Sequence, residues 1–122
     1  MLINFEDERP IFVQIAEGIE DAILAGAFLE ESQIPSTTEI SVSYKINPAT
    51  ALKGINLLVD SGILYKKRGV GMFVAPRATK KLIEKRRNLF YENYITRLID
   101  EAKRLGIAQT EITAMIERGY RQ

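Results

Sequence analysis

The chemistry-bearing residues of this chain are concentrated in one short turn between two β-prone runs. The turn holds three cations and two glycines: Lys66, Lys67, Arg68, Gly69 and Gly71. The runs on either side, Ile63–Tyr65 and Met72–Val74, predict a small hairpin. Glycine adopts positive φ and lets the backbone approach another surface closely. Cations on such a turn are suited to contacting phosphate rather than to making or breaking covalent bonds.

The amino-acid composition argues against an enzyme. The chain has no histidine and no cysteine, which removes the usual general base, the commonest transition-metal ligand and the thiolate nucleophile. The consecutive acids Glu6, Asp7 and Glu8 precede a predicted helix, where they complement its dipole rather than form a metal site. We therefore expect no catalytic residue, no metal and no cofactor.

The formal net charge of +1 conceals a strong segregation of charge. Residues 1–44 carry nine acids and one base, whereas residues 66–87 carry nine bases and one acid. An isolated basic run is often only a solvated helix face. Here the basic segment includes both the glycine-containing turn and a helical run, which favours an anion-binding surface.

The overall composition predicts a globular protein, with 46% hydrophobic and 27% charged residues. The longest apolar run is too short to cross a bilayer, and the N-terminus lacks the basic segment that begins a signal peptide. We expect a cytoplasmic protein without a membrane partner.

Proline and capping residues predict the first two helices. Pro10 suits the first position of a helix that continues with apolar residues at helical spacing until Gly26. Ser36 and Glu39 have the spacing of a capping box, which predicts a short second helix ending near Tyr44.

A third helix is predicted after a tight turn. Asn47 can cap it, Pro48 opens it, and Ser61-Gly62 ends it. The face opposite its apolar stripe carries, near its start, Ala49, Thr50 and Lys53. These side chains would reach base edges if the helix entered a major groove, although each alone would also suit a solvent-exposed face. Two short helices followed by a basic hairpin indicate a winged helix-turn-helix that binds double-stranded DNA.

These residues resemble the GntR family of bacterial transcription regulators, and most closely its short-tailed YtrA-type branch. The resemblance covers the whole chain and rests on the following segments: Pro10-Ile11-Phe12, Gln14-Ile15, Ile19, Ile23, Gly26, Leu29, Ile34-Pro35-Ser36, Ile46-Asn47-Pro48, Thr50 and Arg68–Val74. Each motif alone is weak, but together they are highly specific.

The resemblance implies a dimeric repressor that reads an inverted repeat, with the hairpin tip in or beside the minor groove. The DNA-contacting positions that it carries over best are Ser36, Asn47, Thr50, Lys53, Arg68 and Gly71. Thr38 stands where the family usually has an arginine that contacts DNA, and Ala49 stands where asparagine often follows the Asn-Pro pair. We include both positions among the candidate DNA contacts and expect the specificity to differ from that of close relatives.

The C-terminal part of the chain predicts a long helix from Arg77 to about Leu105, then a short one capped by Thr110. An apolar stripe along the long helix consists of Tyr91, Ile95, Leu98, Ala102 and Leu105, widened by Leu89, Phe90, Tyr94 and Ile99. The short helix has an apolar face of its own, which we expect to be buried, formed by Ile112, Met115 and Ile116. The stripe suggests dimerisation with a second copy. The stripe would also be buried if the long helix folded back onto the DNA-binding domain, or if it lined a pocket for an unidentified small-molecule effector.

The sequence thus predicts a mainly α-helical fold with a small β-hairpin. Residues 1–76 would form a winged helix-turn-helix DNA-binding domain, and residues 77–122 a two-helix dimerisation element that could hold an effector. The predicted function is sequence-specific transcriptional regulation, most simply repression, by a homodimer. A non-specific architectural DNA-binding protein and a winged-helix protein-interaction module are the alternatives.

Overall fold

A computed structural model describes residues 3–122, so that Met1 and Leu2 of the predicted domain 1–76 lie outside the described residues. The helices and strands of the described part follow in this order: α1 (Ile11–Leu24), α2 (Thr37–Tyr44), α3 (Pro48–Asp60), β1 (Leu64–Lys67), β2 (Gly71–Val74), α4 (Ala78–Phe90), a π-helical segment (Tyr91–Ile95), α5 (Thr96–Arg104) and α6 (Gln109–Tyr120). The predicted fold class, mainly helical with one small antiparallel hairpin, is confirmed. No helix of residues 3–122 combines the length and apolarity needed to cross a membrane.

The chain forms two compact units, one reaching Glu84 and the other comprising Lys85–Gln122. The core of the first unit consists of aliphatic side chains from its helices and both strands, the largest being Ile15, Ile19, Ile55, Leu58, Leu64, Val74 and Leu82. Ala78 and Leu82 of α4 are fully buried in this core. The first turns of α4 therefore belong to the helix-turn-helix core, although they follow the end of the hairpin.

Helices α1 and α3 approach each other closely at Gly54. A Cβ at this position would lie 2.7 Å from the Phe12 carbonyl oxygen and 3.0 Å from the Ile15 Cβ. Only glycine leaves room for the backbone of α1 at this distance. This contact sets how α3 lies against the rest of the unit.

The predicted caps of α2 and α3 are confirmed. The Ser36 hydroxyl accepts from the Glu39 amide at 3.0 Å, and the Glu39 carboxylate accepts from the Ser36 amide at 3.1 Å. The Asn47 side-chain oxygen accepts from the Ala49 amide at 2.8 Å. These bonds satisfy N–H groups that have no partner within the first turn of a helix.

The turn between α2 and α3 is fixed by one strained residue and one buried hydroxyl. Lys45 has a φ of 54°, in the left-handed region that L-residues seldom occupy. The Ser41 hydroxyl donates to the Ile46 carbonyl at 2.7 Å, and the Ile46 amide donates to the Ser41 carbonyl at 3.0 Å. Together they hold the tight break that sets α3 relative to α2.

Gln14 ties the N-terminal segment to α1. Its side-chain oxygen accepts from the Asn4 amide at 2.8 Å, and its Nε2 donates to the Asn4 and Arg9 carbonyls at 2.9 and 3.1 Å. Gln14 is buried, so these bonds replace the hydrogen bonds that its side chain would make with water.

In the same N-terminal segment the Arg9 amide and guanidinium both donate to the Asp7 carboxylate, which lowers the pKa of that carboxyl below its usual value.

The C-terminal helices agree with the predicted pattern in extent but differ from it in detail. The predicted long helix is interrupted by the π-helical segment, at the end of which the Thr96 hydroxyl donates to the Glu92 carbonyl at 2.6 Å. A π-turn accommodates an extra residue, so the regular spacing assumed for the apolar stripe does not hold there.

The last helix departs from prediction at its cap and at its apolar face. Thr110 is not the cap of α6, because the helix begins at Gln109 and Thr110 lies within its first turn. Its predicted buried face is also wrong for the single chain. Met115 and Ile116 are 43% and 44% exposed, and the second unit leaves them in contact with solvent.

Candidate nucleic-acid interface

The hairpin places its cations differently from the predicted cluster at the tip. Lys66 and Lys67 belong to β1, where Lys66 pairs with Met72 and Lys67 pairs with Gly71. Successive strand residues point to opposite faces, so the two lysines lie on opposite sides of the hairpin. Arg68 alone of the three cations belongs to the turn itself. The sequence pattern missed this because the strand extends two residues beyond its β-prone core.

The turn at the tip of the hairpin requires glycine at position 69. The Val70 amide donates to the Lys67 carbonyl at 2.9 Å, and Gly69 has a φ of 77° at the third position of this turn. A positive φ there is the requirement of a type II turn. Arg68, Gly69 and Val70 are all exposed, so the tip presents one guanidinium, bare backbone and one apolar side chain.

Lys67 lies against the aromatic face of the hairpin. Its ammonium is 4.2 Å from the centroid of the Phe73 ring and 5.9 Å from that of Tyr65, and these two rings are stacked at 5.9 Å. A cation over aromatic rings is attracted by their quadrupole. The aromatic pair therefore keeps the Lys67 charge close to the strand, while Lys66 is exposed on the other face.

The predicted reading residues lie in the first turns of α3. Ala49 and Lys53 are exposed and Thr50 is half-buried. The Lys53 ammonium lies 4.1 Å from the centroid of the Phe12 ring of α1. This arrangement leaves a small apolar group, a hydroxyl and a cation near one helix end, which is the set of groups that base edges and thymine methyls can contact.

The N-termini of α2 and α3 carry further hydrogen-bond donors. Ser36 and Asn47 are exposed and use a side-chain oxygen for capping. The hydroxyl proton of Ser36 and the amide protons of Asn47 form no other bond among residues 3–122 and can donate to phosphate. Thr38 is exposed in the first turn of α2. Backbone N–H groups and the helix dipole favour an anion at such ends.

A residue that the sequence analysis did not single out contacts the hairpin. Gln33 pairs with Phe73 across an isolated β-bridge, and its side-chain Nε2 donates to the Val70 carbonyl at 3.0 Å. No local pattern could have indicated it, because Gln33 and Val70 are 37 positions apart.

The residues of the predicted dimerisation stripe belong to the second unit, where most are accessible in the single chain. Tyr91 is 61% exposed, Leu98 is 37% exposed and Leu105 is 65% exposed, whereas Ile95 is half-buried and Ala102 is buried. Phe90 and Tyr94 are exposed beside the stripe, with ring centroids 5.1 Å apart. The second unit thus carries large apolar groups that the unit itself does not cover.

The described residues were also compared with the requirements of a metal site. Within residues 3–122, no three His, Cys, Asp or Glu side chains come together as a candidate metal site.

Comparison with known proteins places this arrangement in a family. Residues 12–74 match the family of bacterial regulatory proteins named gntR. The HTH-type transcriptional repressor YtrA of Bacillus subtilis is 28% identical over 105 residues, which cover 86% of this chain and 80% of YtrA. The similarity to YtrA therefore extends beyond the family match into the C-terminal helices, as the resemblance to the short-tailed branch implied.

Solved structures show the same relationship. A GntR-family transcriptional regulator from Bacteroides thetaiotaomicron superposes with a TM-score of 0.72 at 32% identity, covering 91% of this chain and 96% of that one. The DNA-binding domain of AraR in complex with operator ORX1 superposes with a TM-score of 0.57 at 30% identity, covering 62% of this chain and 96% of that one. The family and the named relatives are transcription regulators rather than enzymes. Because the match includes the helix-turn-helix and the hairpin and spans more than half of the 122 residues, the chain belongs to the GntR family of bacterial transcriptional regulators.

Proposed function

We propose that this regulator is a homodimeric repressor that occupies an inverted-repeat operator in the cytoplasm. Residues 1–76 bind the DNA, and the apolar stripe within residues 77–122 joins the two copies. The observation that carries the proposal is the combination, in one unit, of the exposed start of α3 with a cationic hairpin that follows it directly. A groove-reading helix with a flanking wing is the geometry of winged helix-turn-helix recognition.

Base reading and backbone contact are assigned to different parts of this surface. Thr50, Lys53 and Ala49 at the start of α3 read base edges. The donors that contact phosphate are at the two helix N-termini and on the hairpin, and comprise Ser36, Thr38, Asn47, Lys66, Lys67, Arg68, Gly69 and Gly71. Phosphate contacts fix the register of the protein on DNA without choosing a sequence. The AraR DNA-binding domain, whose structure contains an operator, supports the assignment by its similarity.

Dimerisation is supported by the exposure of the apolar stripe. Large apolar groups such as Tyr91 and Leu105 are accessible on the second unit of the single chain, and a contiguous apolar surface commonly marks an interface. A two-fold dimer places two copies of α3 in symmetric positions, which requires two symmetric half-sites in the DNA. Repression follows most simply, because a dimer on promoter DNA competes with transcription, and YtrA is named a repressor.

Selection of bound duplexes from a random library, followed by titration at several salt concentrations, tests this function. We expect an inverted repeat to be enriched and to bind at least about 10³-fold more tightly than random duplex. An architectural protein would bind both within about tenfold of each other. A protein-interaction module would show no salt-dependent DNA binding, and this result would exclude the proposal.

A further inference from the structure

The segment that precedes α2 forms an additional edge of the hairpin. The Glu31 amide donates to the Val74 carbonyl at 2.7 Å, and the Val74 amide donates to the Ser32 carbonyl at 2.9 Å. The Ile34 amide then donates to the Met72 carbonyl at 3.0 Å. These bonds align residues 31–34 with β2 as far as Met72, but the main-chain pairing stops before the exposed turn.

One side chain continues this pairing to the turn. Gln33 Nε2 donates to the Val70 carbonyl at 3.0 Å. The neighbouring Gly71 has a φ of 146°, and a Cβ there would lie 2.5 Å from Gln33 Nε2. Gly71 therefore gives the Gln33 amide access to the main chain of the tip.

The Gln33 contact also connects two parts of the candidate DNA surface. Two residues after Ile34, the same segment reaches Ser36, the capping residue of α2. The turn itself contains Gly69 and is followed by Gly71, the residue type that loses the most conformational freedom on ordering. A contact that orders such a turn in the unbound protein reduces the conformational entropy that is lost when DNA binds, and so strengthens binding.

We propose that Gln33 is a positioning residue for DNA binding, which acts by holding the Arg68-Gly69-Val70 turn in place relative to the start of α2. The inference rests on the proposed DNA-binding function and deepens it. Gln33 contributes through the turn and not through a contact of its own with DNA. Its loss therefore weakens specific and random duplexes alike, because the turn contacts the backbone more than the bases.

Gln33→Met tests the proposal, because it keeps the length of the side chain and removes the donor. The probes are a duplex enriched from the random library and a shuffled duplex of equal length. We expect affinity for both to fall about threefold to tenfold, the range that corresponds to the net value of one neutral hydrogen bond. Gln109→Met, on the exposed start of α6, is the matched control and should bind as the unaltered protein does.

A double-variant cycle with Arg68→Ala separates action through the turn from direct contact. If Gln33 acts through the turn, the effect of Gln33→Met becomes smaller once Arg68 is replaced, because one of the contacts that the turn makes with DNA is then gone. Backbone relaxation of Gly69 and Gly71 should at the same time show increased motion in Gln33→Met without DNA, while the residues of α3 are unchanged. Gln33→Ala serves as a second variant should Gln33→Met alter the melting temperature.

Each other outcome overturns the proposal. Unchanged affinity in Gln33→Met and Gln33→Ala, with normal binding by the unaltered protein, would refute the role of Gln33 and leave the proposed function standing. An undiminished effect in the Arg68→Ala background would instead show direct contact between Gln33 and DNA. Failure of the unaltered protein to bind any duplex would refute the proposed function and this inference with it.

Discussion

The ammonium of Lys53 lies 4.1 Å from the centroid of the Phe12 ring, so a candidate base-reading side chain of α3 rests on an aromatic ring of α1. Such a contact at an exposed site contributes about 0.5–1 kcal/mol. Lys53 therefore has a structural role in the unbound protein in addition to its proposed role on DNA.

This dual role can be measured by denaturation without DNA. Lys53→Met should lower the free energy of unfolding by about 0.5–1 kcal/mol relative to Lys80→Met, an exposed helical lysine of α4. The loss should be absent in a Phe12→Leu background, because leucine has no ring quadrupole. Equal effects of Lys53→Met in both backgrounds would show that the contact contributes nothing.

Substitution of a phosphate-contacting residue should affect DNA binding differently from substitution of a base-reading residue. Lys67→Ala should weaken all duplexes alike and reduce the slope of log affinity against log salt by about one, the value for one lost phosphate contact. Thr50→Ala should instead alter which sequences are enriched from a random library. If both variants weakened specific and random DNA equally, α3 would not be the reading helix.

Gly54 should tolerate no side chain. Alanine usually stabilises a helix interior by about 0.5–1 kcal/mol relative to glycine, but here its Cβ would overlap the Phe12 carbonyl. Overpacking of this kind costs about 1–3 kcal/mol, so we expect Gly54→Ala to lower the urea midpoint. Gly119→Ala is the control, since among residues 3–122 only its chain neighbours and the backbone of its own helix can lie within 4 Å of the position that its methyl group would take; it should leave stability unchanged or raise it.

Lys45 should be replaceable by glycine with a gain in stability. Its left-handed conformation costs an L-residue about 1–2 kcal/mol, and this exceeds the entropy lost by ordering glycine. We expect Lys45→Gly to raise the free energy of unfolding by about 0.5–1 kcal/mol, measured thermally without DNA. Lys80→Gly, within α4, should lower it by about 1 kcal/mol. A loss in both variants would contradict the strain assigned to Lys45.

Dimerisation should depend on the apolar stripe. Leu98→Asp places a carboxylate where the proposed interface excludes water, so the protein should become monomeric and lose affinity for an inverted repeat. Arg97→Asp introduces the same group beside the stripe and should leave the dimer intact. Light scattering at micromolar concentration measures both. A monomeric unaltered protein would refute the dimer directly.

Local signals were sufficient to predict the helices of the first unit. The Ser36–Glu39 capping box and the Asn47-Pro48 start depend on neighbours within a few residues, and the structure confirms both. Residue types alone therefore determined where α2 and α3 begin, and with them the location of the candidate reading surface.

Features that depend on distant residues could not be predicted in this way. The Gln33 contact with Val70 joins positions far apart in the chain. The Phe12 ring near Lys53 belongs to another helix, and the Phe73 ring near Lys67 belongs to the opposite strand. The π-helical segment Tyr91–Ile95 that interrupts the long helix contains no Pro or Gly from which it could have been predicted. In each case the local sequence was also compatible with regular helices, strands and solvent-exposed side chains, and packing between distant parts of the chain determined the structure.

The Gln14 tether has a practical consequence for handling the protein. Its three bonds to Asn4 and Arg9 join uncharged groups, and salt screens interactions between charges. Binding to phosphate, by contrast, weakens steeply as counterions compete. Concentrated salt should therefore strip nucleic acid from the protein during purification while its N-terminal segment keeps its attachment.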